Sequence, residues 1–407
     1  ARRVGARRAA CRTARRQRAR TSYIEVRYNC ARRVGRDADS SHPSLRSVSN
    51  TRNTRNTRRS GSRLPLDRYS SLPPATGSQA WATPHPKPGG GAPTVSIALV
   101  PFPTVIVPVC RTVDVEGPVN YVELEGNPDG PTFVCVHGLG GSHLNWMGIA
   151  PALTRWGRVL ALDLIGHGLT PVGNRDPGIT GHRRLVDGFV RALTDGPVIL
   201  VGNSMGGLVA ALVAASEPEA LAGLVLVDAA IPVMPPGRVH PAAVANAIMC
   251  AVPGVGERYL AYRRRVQSPE ASVRRVLAAC CVDQYRVAPD LVDAHVALTA
   301  RMDRAAADGA YLSSARSLAR SLLRPMACQR ALDRIRVPVL LLHGDADRLV
   351  PLSTSQRLRA ARPEWRLAVA RGVGHVPMME APEWTVRRIA EWLATTGLLP
   401  PTSPPAP

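Results

Sequence analysis

Residues 198–208 read Val-Ile-Leu-Val-Gly-Asn-Ser-Met-Gly-Gly-Leu, and they restrict the fold more than any other stretch. The first four residues are apolar and uninterrupted by charge, as in a strand buried on both faces. That run stops at Gly202, and residues 208–216 are rich in alanine and leucine, the best helix formers. Too few residues separate strand from helix for a loop, so the chain turns sharply with Ser204 at the apex. Side chains flanking such a turn would collide. Glycine at 202 and 206 removes the collision and leaves the serine hydroxyl exposed. Ser204 is thus a candidate nucleophile that needs partners from elsewhere in the chain.

The surrounding pattern supplies a scaffold. Residues 111–116 and 120–125 alternate apolar and polar residues, predicting a hairpin of half-buried strands. Continuous apolar runs at 132–136, 159–162, 224–227 and 337–342 predict buried strands, with a last strand at 365–370. Helices are expected at 145–155, 185–194 and 384–393. Short strands alternating with helices specify an α/β fold with a mostly parallel, doubly wound sheet. Residues 231–325 break the alternation and are helical throughout: Leu312, Ala315, Leu318 and Leu322 share one face, Arg316 and Arg320 another. This reads as a lid over the carboxyl ends of the strands, where open α/β sheets bind ligands. The domain plan is therefore a core in two parts, 95–230 and 326–397, separated by the helical lid at 231–325. A Pro-rich tail at 398–407 follows.

Charge matters only for where it lies. The formal net charge is +22, and 21 of the 52 basic residues but only four of the 30 acidic ones fall in residues 1–95. That quarter carries +17 and the remainder +5. Lys87 is the single lysine, whereas basic arms that bind nucleic acid mix lysine with arginine, so nucleic acid is not the expected partner. With its Arg/Ser/Thr/Asn bias and no apolar periodicity, the segment 1–94 cannot offset its chain entropy. It reads as a disordered Arg-rich extension, with the native start expected near Val95. The eight cysteines show no CxxC and no metal-ligand spacing, which predicts no metal, no cofactor and a reducing compartment. The most apolar run, 95–110, is broken by three prolines. The expectation is a cytoplasmic protein without a membrane span, acting on a small molecule.

Serine becomes a useful nucleophile only when a base takes its proton and an acid holds that base in the right tautomer. Downstream of Ser204, Asp347 and His375 each follow a predicted strand, in the order serine, aspartate, histidine. Asp345 competes with Asp347, but the spacing to Val350-Pro351 favours Asp347. Asp228, after the strand at 224–227, is a second alternative acid. Two backbone N–H groups are needed for the developing oxyanion. Met205 follows the nucleophile directly, and Leu139 lies in the glycine-rich loop 137–141. Asp163 and His167 are expected to brace the loop after the strand at 159–162.

In order, His137-Gly-Leu-Gly, Asp163-Leu-Ile-Gly-His-Gly, Gly202-Asn-Ser-Met-Gly-Gly, Gly344-Asp-Ala-Asp-Arg-Leu-Val-Pro and Gly374-His-Val-Pro-Met-Met-Glu-Ala-Pro resemble successive signatures of the α/β-hydrolase superfamily. The resemblance spans about residues 110–397. It implies Ser204 as nucleophile, Asp347 as acid, His375 as base, and Leu139 and Met205 as oxyanion donors. It further implies a serine hydrolase of an ester or related acyl bond; the apolar Leu139 and a lid rich in Leu, Val and Ala point to a small to medium hydrophobic substrate. Cleavage of carbon–carbon bonds, acyl transfer and cofactor-free perhydrolysis use the same triad and stay open. A non-catalytic binding protein on this scaffold is the reading from another class. Serine at the elbow argues against epoxide hydrolases and haloalkane dehalogenases, whose members place aspartate there.

Overall fold

The structure is a computed structural model that describes residues 109–399 except 235 and 236. The expectations for the extension at 1–94, for the stretch up to 108 and for the tail beyond 399 lie outside the described residues. Eight strands form one sheet: β1 (Cys110–Asp114), β2 (Pro118–Leu124), β3 (Thr132–Val136), β4 (Val159–Leu162), β5 (Val198–Asn203), β6 (Leu221–Val227), β7 (Val339–Gly344) and β8 (Arg366–Ala370). Their spatial order is β1-β2-β4-β3-β5-β6-β7-β8. The β1–β2 and β2–β4 pairs are antiparallel; every pair from β4 to β8 is parallel.

Alternate residues of each central strand feed opposite apolar layers. Val134, Val136, Leu160, Leu200 and Leu224 pack to one side, and Phe133, Cys135, Val159, Ile199 and Val225 to the other. Both layers are covered by helices, which is why these strands read as unbroken apolar runs. Helix α1 (Ala150–Leu153) is short. Helices α2 (Ile179–Leu193) and α3 (Met205–Ser216) cover the first layer. The chain runs from β3 to β4 on one flank of β3 and then crosses to β5 on the other. The direction of winding therefore reverses between β3 and β5, and the loops after those two strands open at that point.

Of the six α-helices between β6 and β7, the first five form the insertion: α4 (Pro241–Ala251), α5 (Val255–Val266), α6 (Pro269–Cys280), α7 (Pro289–Arg301) and α8 (Arg304–Leu322). Their starts follow local chemistry. Ser268 accepts from Ala271 N ahead of Pro269, and Asp303 accepts from Ala305 and Ala306 N. Leu312 is buried against Cys250 and Leu260, and Arg316 on the other face pairs with Glu257. Leu322, at the end of the expected apolar face, is instead exposed. Helices α9 (Pro325–Leu332), α10 (Ser353–Ala361), α11 (Pro377–Glu380) and α12 (Pro382–Thr396) complete the core.

The helix expected at 145–155 is not continuous. It is split into a 3-10 turn, His143–Trp146, and α1. Gly148 sits in the break, where a Cβ would lie 2.7 Å from Met378 O, and Pro151 can start a helix but not continue one. Tertiary packing overrides the local propensity here. Among the described residues, no helix is long and apolar enough to cross a membrane.

Candidate active site

Ser204 has φ 54° and ψ −119°, a conformation few non-glycine residues adopt. Its neighbours make this possible. A Cβ on Gly202 would come within 2.5 Å of Gly206 O, and one on Gly206 within 2.3 Å of Val136 O and His137 O. Hydrogen bonds then fix the apex: Ser204 N donates to Val227 O at 3.0 Å, and Ser204 O accepts from Gly207, Leu208 and Ala230 N. The serine side chain is half-buried at the amino end of α3. Met205 N–H stands at the first position of that helix, where no carbonyl of the same helix can accept it.

The second predicted donor is oriented indirectly. Burial and the charge of His167 push His137 down to about 3, so its imidazole is neutral. Its Nδ1–H donates to Gly138 O at 2.7 Å while Nε2 accepts from Leu164 N at 3.0 Å. Gly141 N also donates to Gly138 O, at 3.1 Å. Two donors thus hold one face of the 138–139 peptide. Because that peptide is planar and trans, Leu139 N–H must point the opposite way. A Cβ on Gly138 would lie 3.0 Å from Ser204 Cβ, so the loop runs directly beside the serine.

On the loop after β8, His375 Nδ1 lies 2.7 Å from Asp347 Oδ2. Asp347 Oδ1 accepts from Leu349 N at 2.7 Å and Val350 N at 3.1 Å. Burial alone would raise the Asp347 carboxyl. The charge and hydrogen bond of His375, with the Leu349 N–H, outweigh it and hold the group below its usual range. The nearest rivals do other work. Asp345 accepts from Gly372 N at 2.7 Å and closes the loop, and Asp228 Oδ1 accepts from Gly344 N at 3.0 Å.

Asn203, unassigned from sequence, joins the two halves. Its Nδ2 donates to Val227 O and to His375 O, each at 3.1 Å. His375 N donates to Cys280 O at the end of α6, fastening the histidine loop to the helical insertion. Ser204, Asp347, His375, Leu139 and, at the first position of α3, Met205 therefore all lie at the carboxyl end of the sheet. The direct bond between Ser204 Oγ and His375 is not formed among the described residues.

Asp163 accepts from Leu169 N at 2.8 Å, from Asn120 Nδ2 and from His143 N and Nδ1, bracing the loop after β4. His143, given no role from sequence, is its counter-ion. Burial lowers His143 but Asp163 overcomes that and pushes it up to about 10. His167 Nδ1 lies 2.9 Å from Ile165 O in the same loop. Glu380, also unassigned from sequence, is buried and accepts from Val282, Asp283 and Gly374 N. Among the described residues, acidic and imidazole atoms of Asp228, Asp347 and His375 converge within 4.8 Å. Two of the three, Asp347 and His375, are already bonded to each other.

The sequence matches the alpha/beta hydrolase family over residues 133–388. The chain belongs to that family. An Aromatoleum aromaticum pimeloyl-(acyl-carrier protein) methyl ester esterase is 31% identical over 257 residues, covering 62% of this chain and 94% of the esterase. A Pseudomonas putida 2-hydroxy-6-oxo-2,4-heptadienoate hydrolase is 28% identical over 277 residues, covering 66% of this chain and 90% of its own. Among solved structures, a membrane phospholipase A superposes with a TM-score of 0.54 at 27% identity, over 71% of this chain and 86% of that one. The family and these relatives make hydrolysis the enzyme class of this alpha/beta hydrolase.

Proposed function

We propose that this alpha/beta hydrolase is a serine hydrolase working through an acyl-enzyme, with Ser204 as nucleophile, His375 as base and Asp347 as its orienting acid. The observation that carries the reading is the 2.7 Å contact between His375 Nδ1 and Asp347 Oδ2, on a loop that Asn203 ties to the strained serine turn. With Nδ1–H given to Asp347, the other imidazole nitrogen is the unprotonated one and can take the Ser204 proton. That link tightens when substrate fills the site, since catalytic bonds in unliganded enzymes are often long. Ser204 Oγ then attacks the carbonyl carbon, and the oxygen gains charge between Leu139 N–H and Met205 N–H. Each such donor is worth roughly 3–4 kcal/mol in a water-excluded site. His375 returns its proton to the leaving alcohol, and water releases the acid by the same steps.

Helices α4 to α8 act in this reading as a lid, and Leu139 with their apolar side chains favours esters of small to medium hydrophobic acids. The esterase relative supports that choice, and the dienoate hydrolase relative keeps carbon–carbon cleavage as the alternative. A fluorophosphonate probe and a series of chromogenic esters of graded acyl length test both. Parent protein should be labelled and should hydrolyse some ester, and Ser204→Ala should do neither. Labelling that persists in Ser204→Ala would remove the serine mechanism; turnover of a dienoate but of no ester would move the substrate class.

A further inference from the structure

Asp228 takes no part in the contact between Asp347 and His375, yet it is wholly buried beside it. It follows β6 with φ 45°, in the left-handed region that aspartate and asparagine tolerate best. Its Oδ1 accepts Gly344 N–H at 3.0 Å. Its Oδ2 is buried and, if the group is ionised, has no donor. A carboxyl oxygen of Asp228 lies within 4.8 Å of one of Asp347. Two carboxylates are both acceptors, so this contact is favourable only when a proton lies between them.

Among the described groups that act on the pair, none is a lysine or an arginine. His343, on β7, lies 3.5 Å from Asp228 Oδ1 and 3.7 Å from Asp347 Oδ2. Its Nε2 is 3.0 Å from Val350 O, a carbonyl that can only accept, so that nitrogen carries the hydrogen. Its Nδ1 is 2.8 Å from Ser355 Oγ, and burial lowers its proton affinity, so His343 is neutral. His375 is engaged by Asp347. Glu380, on α11, and Cys280, on α6, also act on the pair, and neither is positive. Burial, then the charge of Asp347, raise Asp228 well above the carboxylate range, while Asp347 is held below it. The proton of the pair therefore resides on Asp228.

We infer that Asp228 is a positioning residue: as a carboxylic acid it donates a hydrogen bond from Oδ2 to Asp347 and so fixes the carboxylate that orients His375. This rests on the triad proposed above. It assigns Asp347 a full set of donors, namely two backbone N–H groups, an imidazole and a carboxyl, which leaves its carboxylate a single orientation. It also tempers the charge that His375 meets, because an acceptor shared with another donor holds an imidazolium less strongly.

Two substitutions separate the proton from the charge. Asp228→Asn keeps a donor aimed at Asp347. Asp228→Gly removes the side chain while still permitting the positive φ. An infrared difference spectrum of the parent against Asp228→Asn, at neutral pH, should show a protonated-carboxyl band in the parent alone. With an ester that the parent turns over, Asp228→Asn should lose less than tenfold in kcat/KM. Asp228→Gly should lose about 100-fold, mostly in kcat, as expected of a misplaced base. Its acidic limb of kcat/KM should move to higher pH, because Asp347 then holds the imidazolium more strongly, and asparagine should restore it. A missing band overturns the inference whatever the activity. So does an asparagine variant as impaired as the glycine one, or a glycine variant with an unmoved limb. Loss of the serine reading would show separately, as probe labelling indifferent to Ser204→Ala while the band persists.

Discussion

Asp345 and Asp347 stand two residues apart in the turn after β7, and sequence spacing alone separates them weakly. Their surroundings separate them sharply. The Asp347 side chain is buried against His375, whereas Asp345 is exposed and its carboxylate accepts from the Gly372 amide across the loop. In the proposed mechanism Asp347 stabilises the imidazolium and fixes the tautomer, and an amide there would favour the wrong one. Asp347→Asn should lower kcat on the order of 10³–10⁴-fold with the fold intact. Asp345→Asn, an exposed loop change, should stay within about twofold, the scale of an ordinary surface substitution. Steady-state kinetics on a single ester, with circular dichroism as the control, compare the two. The reverse ranking would transfer the acid role to Asp345.

At the scale of elements, the loops after β3 and β4 act as one unit because His143 and Asp163 join them. Both side chains are almost fully buried, with Nδ1 and Oδ1 3.0 Å apart. The folded state binds the His143 proton more tightly than the unfolded chain does, with a value of about 10 against 6.5. Its stabilisation is therefore complete below about pH 6.5 and is lost as pH climbs toward about 10, amounting to a few kcal/mol. Asp163 works in the opposite direction. Its folded value lies below 3.8, so its share is present above that and disappears on acidification. Urea midpoints across the alkaline window should decline in the parent. Asp163→Asn should start about 3–5 kcal/mol less stable, the usual cost of breaking a buried pair, and should lose that slope. An alkaline decline unchanged in Asp163→Asn would place its origin elsewhere.

For the whole molecule, what could be read from sequence and what could not divide along the range of the interactions. The buried strands, the serine turn and the acid–histidine order are set by residue types within a few positions of one another. Their placement at one end of the sheet follows from the strand–helix alternation. The groups that hold the site together act over long separations: Asn203 reaches His375 across 172 positions, and Glu380 reaches Val282 across 98. Nothing local marks such residues. The close approach of Met378 O to Gly148 is equally long-range, so nothing beside Gly148 in the sequence announces it.

Glu380 offers the clearest test of that long-range assembly. Its two oxygens accept Val282 and Asp283 N–H from the segment after α6 and Gly374 N–H from the turn beside His375. The same turn is clasped from the other side, where a Cβ on Gly374 would meet Cys280 O at 2.2 Å. One side chain thus couples the helical insertion to the loop that carries His375. Glu380→Gln keeps the volume but leaves a single acceptor oxygen for three amides, and its NH₂ faces donors. The loss should be about 1.5–3 kcal/mol of stability for each amide left unpaired. Because the histidine loop is released along with the insertion, kcat should fall with it, and proteolysis should begin between α6 and α7. Equal stability loss with unaltered kcat would mean that the insertion docks independently of the histidine loop.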